Sequence, residues 1–120
     1  MKASRRSLFG LVLLVLGVSA ASQWWAGHHD RTLGAQVATL AQPGDIRMLA
    51  SETCAFCAAA RAWFTMHGVA YSQCEIERDA ACRRDFEATG APGTPVLLVR
   101  GQPQVGFDPQ RLRDALQPRG

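Results

Sequence analysis

From Leu8 to Trp25 the chain runs for 18 residues without a charge, and this stretch limits the fold more than any other feature. Lys2, Arg5 and Arg6 form a basic head in front of it. Leu8–Val18 is the apolar segment proper, and the small residues Ser19-Ala20-Ala21-Ser22 follow. Two readings fit this pattern. One is a signal peptide, with Val18-Ser19-Ala20 or Ser19-Ala20-Ala21 acceptable to a signal peptidase. The other is an uncleaved membrane anchor, with Trp24-Trp25 suited to the far interface. A buried core helix is the weaker reading, because the basic head and the missing polar face argue against it. By the positive-inside rule both favoured readings send the rest of the chain outward. In a bacterium the domain would face the periplasm from the inner membrane, or lie free in the periplasm after cleavage. Disulfides persist there.

With residues 1–27 set aside as signal or anchor, the charge balance changes. The formal net charge is +3, from 13 basic residues against 10 acids. Three of the basic residues are the head, so ten arginines then face ten acids. No basic stripe with interleaved aromatics remains, which excludes nucleic-acid binding. An apolar fraction of 48% is ordinary for a globular domain, and four cysteines are too few for a disulfide-built scaffold.

Residues 28–44 read as a linker. It holds His28-His29, a short Leu33/Val37/Leu40 helical stripe and Pro43-Gly44. The two histidines read as a solvated juxtamembrane pair rather than metal ligands, since adjacent side chains point apart. Residues 45–120 read as one domain of alternating elements. Ile46–Ala50 is a strand, Cys57–His67 a helix stopped by Gly68, and Val69–Ile76 a second strand. A helix carrying Cys82 and Phe86 on one face closes at Gly90. Val96–Val99 is the most strand-like run, Arg100-Gly101-Gln102-Pro103 a turn, and Gln104–Phe107 a fourth strand. Asp108-Pro109 caps and starts a last helix carrying Leu112, Ala115 and Leu116. The order β-α-β-α-β-β-α predicts an α/β fold: a four-stranded mixed sheet with helices on both faces. The first two strands should be parallel and the last two an antiparallel hairpin.

Within that order Cys54 and Cys57 sit between the first strand and its helix, in the run Ser51-Glu52-Thr53-Cys54-Ala55-Phe56-Cys57. Unpaired N–H groups at a helix N-terminus favour negative charge, so a cysteine there holds its thiolate well below the ~8.5 of a free thiol. Cys57, one turn on, is close enough to form a disulfide with it. Cys54 is the expected nucleophile and Cys57 the buried resolving thiol of a mixed-disulfide exchange.

The strand, Thr53-Cys54-Ala55-Phe56-Cys57, the following elements, Gly93-Thr94-Pro95 before a strand and Gly106-Phe107-Asp108 together resemble a glutaredoxin-like protein of the thioredoxin superfamily, over about residues 45–117. The resemblance implies a thioredoxin-like fold and a thiol–disulfide oxidoreductase. It also implies a cis Pro95 facing the disulfide, with the Thr94 backbone pairing with a bound peptide or glutathione. Thr53, Phe56, Gly106 and Asp108 complete the substrate surface it implies, Phe56 lying exposed between the cysteines. The sequence departs from the family at three places. Ala55 and Phe56 replace a proline and a tyrosine. Ser51 and Glu52 stand where a basic residue often holds a glutathione carboxylate. The late Gly-Gly…Asp is reduced to Gly106-Phe107-Asp108. No cofactor is required for the exchange. The partner is a disulfide-containing protein or glutathione as co-substrate, and a monomer is expected. The alternative is a metal- or iron–sulfur-binding module, since glutaredoxins lacking the motif proline can hold a cluster between two subunits.

Cys74 and Cys82 remain. A Cys74–Cys82 disulfide across a short strand–helix connection is favoured. Two free, partly buried thiols are the second reading, and a four-cysteine zinc site the third, because C-x7-C fits a zinc pair poorly. No other metal cluster is expected. His67 reads as a helix-end cap or surface residue, Trp63, Phe64 and Tyr71 as packing residues, and the Glu75/Glu77/Asp79 run as a solvated loop.

Overall fold

The computed structural model describes residues 4–118; Lys2 of the basic head lies outside them. The chain divides into two units, residues 1–32 and 33–120. The first is the leading part of helix α1 (Arg5–Leu40). Its apolar side chains face outward, Phe9 at 71% and Trp24 at 72% exposure. Leu8–Trp25 is about 27 Å long at 1.5 Å per residue, close to the ~30 Å of a bilayer's hydrocarbon core. The helix is long and apolar enough to cross a membrane, as a signal sequence also is. His28 and His29 stack on Trp24 and Trp25, four residues earlier in each case, with ring centroids 5.7 and 5.8 Å apart. That spacing places each pair on one side of the helix.

The second unit begins inside α1. Residues 28–40, read from sequence as linker, continue the helix, and from Leu33 onward they belong to the folded unit. Leu33, Val37 and Ala41 are buried. The Leu33/Val37 stripe has the i, i+4 spacing of an inward-facing helix side.

The remaining elements are β1 (Ile46–Ala50), α2 (Ala55–His67), β2 (Ser72–Glu75), α3 (Ala80–Thr89), β3 (Val96–Val99), β4 (Gln102–Val105) and α4 (Pro109–Leu116). The sheet order is β2-β1-β3-β4. β1 and β2 are parallel, and β1–β3 and β3–β4 antiparallel. Side chains alternate across a strand, and the burial follows. Ile46, Met48, Ala50, Leu97 and Val99 form one core with α2, α4 and the end of α1. Leu49 and Val96 form the other with Cys82, Cys74 and Phe86. Helices therefore cover both faces, as expected.

Three boundaries differ from the sequence reading. Helix α2 starts at Ala55 because Cys54 is its N-cap. β2 is only Ser72–Glu75. The N–H of Val69 closes the end of α2 on the Phe64 carbonyl at 2.9 Å, while Val69 and Tyr71 join the core as connectors. β4 begins at Gln102 because Arg100 and Gly101 both take positive φ, 51° and 83°. A two-residue turn of that kind lets pairing start at once, with Val99 opposite Gln102. Pro103 is tolerated because β4 is an edge strand. His67 is half-buried in the last turn of α2. Its ring lies 4.6 Å from that of Trp63 and against Gly34 of α1. Trp63, Phe64, Tyr71 and Phe107 do pack as one aromatic group.

Candidate active site

β1 ends at Ala50, and four residues later Cys54 takes an extended conformation (φ −101°, ψ 107°) as N-cap of α2. Its Sγ accepts the Cys57 N–H at 3.1 Å, and its carbonyl accepts the Ala58 N–H at 3.2 Å. Cys54 and Cys57 are disulfide-bonded, with Cα atoms 5.2 Å apart. Cys57 is fully buried under α2 and Cys54 only half-buried. One sulfur is thus open to a partner and the other shielded behind it.

The Thr94–Pro95 peptide is cis, and Pro95 is buried. Leu49 pairs with Val96 in antiparallel register, so Pro95 lies beside the end of β1 from which the chain enters the Cys54 loop. The Gly106 N–H donates to the Pro95 carbonyl at 2.8 Å. Residues 51–57, 94–95 and 106 thus gather at one end of the sheet. Phe56 stands out at 73% exposure, and Thr53 is exposed with it. Asp108 is a helix cap: one carboxylate oxygen, Oδ1, accepts the N–H groups of Gln110 (3.0 Å) and Arg111 (3.3 Å).

Cys74 and Cys82 form a second disulfide, with Cα atoms 6.0 Å apart. It belongs to the core on the opposite sheet face from Cys57. The four sulfurs do not converge, which overturns the four-cysteine zinc reading. The reading of Cys74 and Cys82 as free thiols falls with it. Among the described residues no group of three or more His, Cys, Asp or Glu is arranged to hold a metal ion.

The sequence reading missed an ionic clamp on the loop before Cys54. Glu77 accepts the Ser51 hydroxyl on Oε1 and the Glu52 N–H on Oε2, the latter at 3.2 Å. Arg78 Nε pairs with the Glu52 carboxylate and reaches Glu75 Oε2 at 3.4 Å. The Ser51 hydrogen bond, above all, holds the Glu77 carboxyl below its ordinary pKa, and Glu52 raises that of Arg78. So the Glu75/Glu77/Asp79 run, with Glu75 half-buried and Glu77 and Asp79 exposed, is not merely solvated. A signal was present: in the parallel register Ala50 meets Glu75, which carries residues 51–52 alongside 77–78. Also missed was Arg47, whose Nη1 pairs with Asp85 at 2.6 Å and whose Nη2 lies 3.4 Å from Cys74 Sγ.

Residues 46–104 match the glutaredoxin family model, a segment that contains all four cysteines and Pro95 and ends before Gly106. Among solved structures the chain is similar to the thioredoxin-like protein BC3987, in the crystal structure of a threonine-to-alanine mutant. Identity is 26%, over 61% of this chain and 95% of that one, with a TM-score of 0.54. No curated protein matches the chain. With the family match spanning the redox site and a thioredoxin-like neighbour sharing its architecture, residues 46–104 are similar to a glutaredoxin domain and the chain has a thioredoxin-like fold.

Proposed function

We infer that the protein is a thiol–disulfide oxidoreductase of the bacterial envelope in which Cys54 attacks and Cys57 resolves. The observation that carries the reading is the pair's placement: Cys54 Sγ sits on the N-terminus of α2, facing the Cys57 N–H at 3.1 Å. That donor and the helix dipole favour a thiolate at Cys54. In the reducing direction the Cys54 thiolate attacks one sulfur of a substrate disulfide, forming a mixed disulfide and releasing the first substrate thiol. The Cys57 thiolate then attacks Cys54 Sγ. The second substrate thiol leaves, and the two electrons have passed from the dithiol to the substrate. The reverse sequence oxidises a dithiol. The substrate is a protein disulfide or glutathione, with Thr94 and Pro95 beside the reacting sulfur.

The test compares wild type with Cys54→Ser and Cys57→Ser on a glutathione mixed disulfide and on a protein disulfide. Cys54→Ser should lose activity on both. Cys57→Ser should keep activity only on the glutathione substrate, where a second glutathione thiolate instead of Cys57 resolves the Cys54–glutathione mixed disulfide. Full activity in Cys54→Ser would refute the mechanism.

A further inference from the structure

We propose that the Cys74–Cys82 disulfide positions the Cys54 loop, through the Glu77–Arg78 clamp that it brackets, and thereby sets the reactivity of Cys54. The proposal rests on the reading of Cys54 as the reacting sulfur.

The connection runs through short, named contacts. Ile76 extends the β1–β2 pairing by donating to the Ala50 carbonyl at 2.9 Å, so residues 76–79 start beside residues 51–53. Glu77 and Arg78 then grip Ser51 and Glu52 as described. Inside the loop itself the hold is weaker, the Cys54 N–H reaching the Ser51 carbonyl at 3.4 Å. The clamping segment is fixed at both ends. At its start the N–H groups of Arg78 and Asp79 turn back to the Glu75 carbonyl at 3.1 and 3.0 Å. At its end Asp79 Oδ1 caps α3 through the N–H groups of Ala81 and Cys82. The disulfide joins residue 74, just before this segment, to residue 82, just after it. Removing that bond frees the segment without releasing α3, which stays attached by the Arg47–Asp85 pair and by Phe86 against the core.

The clamp also carries charge toward the reacting sulfur. Glu77 is faced by Arg83 of α3 and by the Ser51 hydroxyl and Glu52 N–H of the loop. Arg78 is occupied by Glu52 and Glu75. Glu77 meets the loop at Ser51 and Glu52, three and two residues ahead of Cys54, and negative charge held on that side disfavours a thiolate. Holding Glu77 against the loop therefore keeps Cys54 less acidic than the helix N-terminus alone would make it. Neutralising Glu77 alone should make Cys54 more acidic, whereas freeing the whole clamp also withdraws Arg78 from Glu52.

The readout is the pH midpoint of Cys54 alkylation by iodoacetamide in a Cys57→Ser background, prepared without reductant so that the Cys74–Cys82 bond survives, as intact mass will verify. Against that background three changes are compared: Cys74→Ala with Cys82→Val, Glu77→Gln, and all three substitutions together. Glu77→Gln should lower the midpoint, giving about 3–10-fold faster alkylation below it, and disulfide removal, which frees Glu77 and Arg78 together, should move the midpoint as well. Together they should give no more than the larger single effect, because both act through one clamp. A midpoint unchanged by disulfide removal, or fully additive effects, overturns the proposal. Should the Ala/Val pair fail to fold, Cys74→Ala alone keeps the buried Cys82 in place and must show the same shift. Alkylation of one thiol needs no turnover, so an inactive protein with the expected shifts would refute the proposed function and leave this coupling standing.

Discussion

An ideal Cβ placed on Gly34 would lie 2.2 Å from His67 Nδ1, a distance no real methyl group tolerates. The His67 ring cannot simply retreat, because the Trp63 ring lies 4.6 Å away on the same helix, and Trp63 itself packs on Phe107 at 5.5 Å. Gly34→Ala should therefore force a rearrangement of the aromatic group and cost about 1–3 kcal/mol, as overpacking of a filled site does. Gly27, with nothing within 4 Å of its ideal Cβ, is the control. Gly27→Ala should leave the domain's urea midpoint where it is, and an equal loss in both variants would contradict the argument. Single residues were unevenly legible. Cys54, Cys57 and Pro95 could be placed from spacing and resemblance, because their geometry is local to a strand–helix or turn–strand junction. Asp108 likewise reads as a cap from the Asp-Pro pair alone. Gly34 could not be placed, since its meaning lies in a ring 33 positions away.

The connection between β2 and α3 is the element whose role was hidden in a plain acidic run. Its acids read as solvated because the local sequence does not reveal the Ser51 and Glu52 partners of Glu77, which the parallel register of β1 and β2 supplies. The fold-level reading did predict that parallel pairing, yet strand ends were misplaced by a few residues at β2 and β4, and a clamp between two strand exits depends on those ends. The consequence for pH follows from Glu77. The Ser51 hydroxyl and the Glu52 N–H hold its folded-state pKa below the 4.5 of an ordinary glutamate. A depressed carboxylate contributes stability that is complete above the unfolded value and is lost as pH falls through the folded one. Between about pH 6 and pH 3, wild type should lose more stability than Glu77→Gln, which has no charge to titrate. Asp45, whose carboxyl the Gln42 N–H and Arg100 also hold low, titrates in both proteins and cancels. Parallel acid unfolding curves for the two would show that the clamp stores no such energy.

At the scale of the whole chain the question is where the folded domain begins. Charge and hydropathy separate the outward-facing apolar helix from the rest, but they place the edge of the domain near Asp45, where the first strand signal appears. The structure puts buried residues ahead of that edge: Leu33, Val37 and Ala41, at 5%, 0% and 5% exposure. The reason the sequence under-reads them is that two or three apolar positions in a polar helical turn are too few to distinguish a docked helix end from a linker. Val37 and Ala41 belong to the same core as Phe64, Leu112 and Leu116, the core against which Cys57 is buried. Fully burying a valine or leucine side chain contributes about 1.5–3 kcal/mol, so losing this turn should cost several kcal/mol and open the Cys57 side of the redox pair. A chain beginning at Arg31 should therefore unfold at a clearly higher urea concentration than one beginning at Asp45. The shorter chain should also show Cys57 alkylated after reduction at a rate approaching that of Cys54, because its cover is gone. Equal midpoints and an equally shielded Cys57 in both chains would mean that the end of α1 rests on the domain without supporting it.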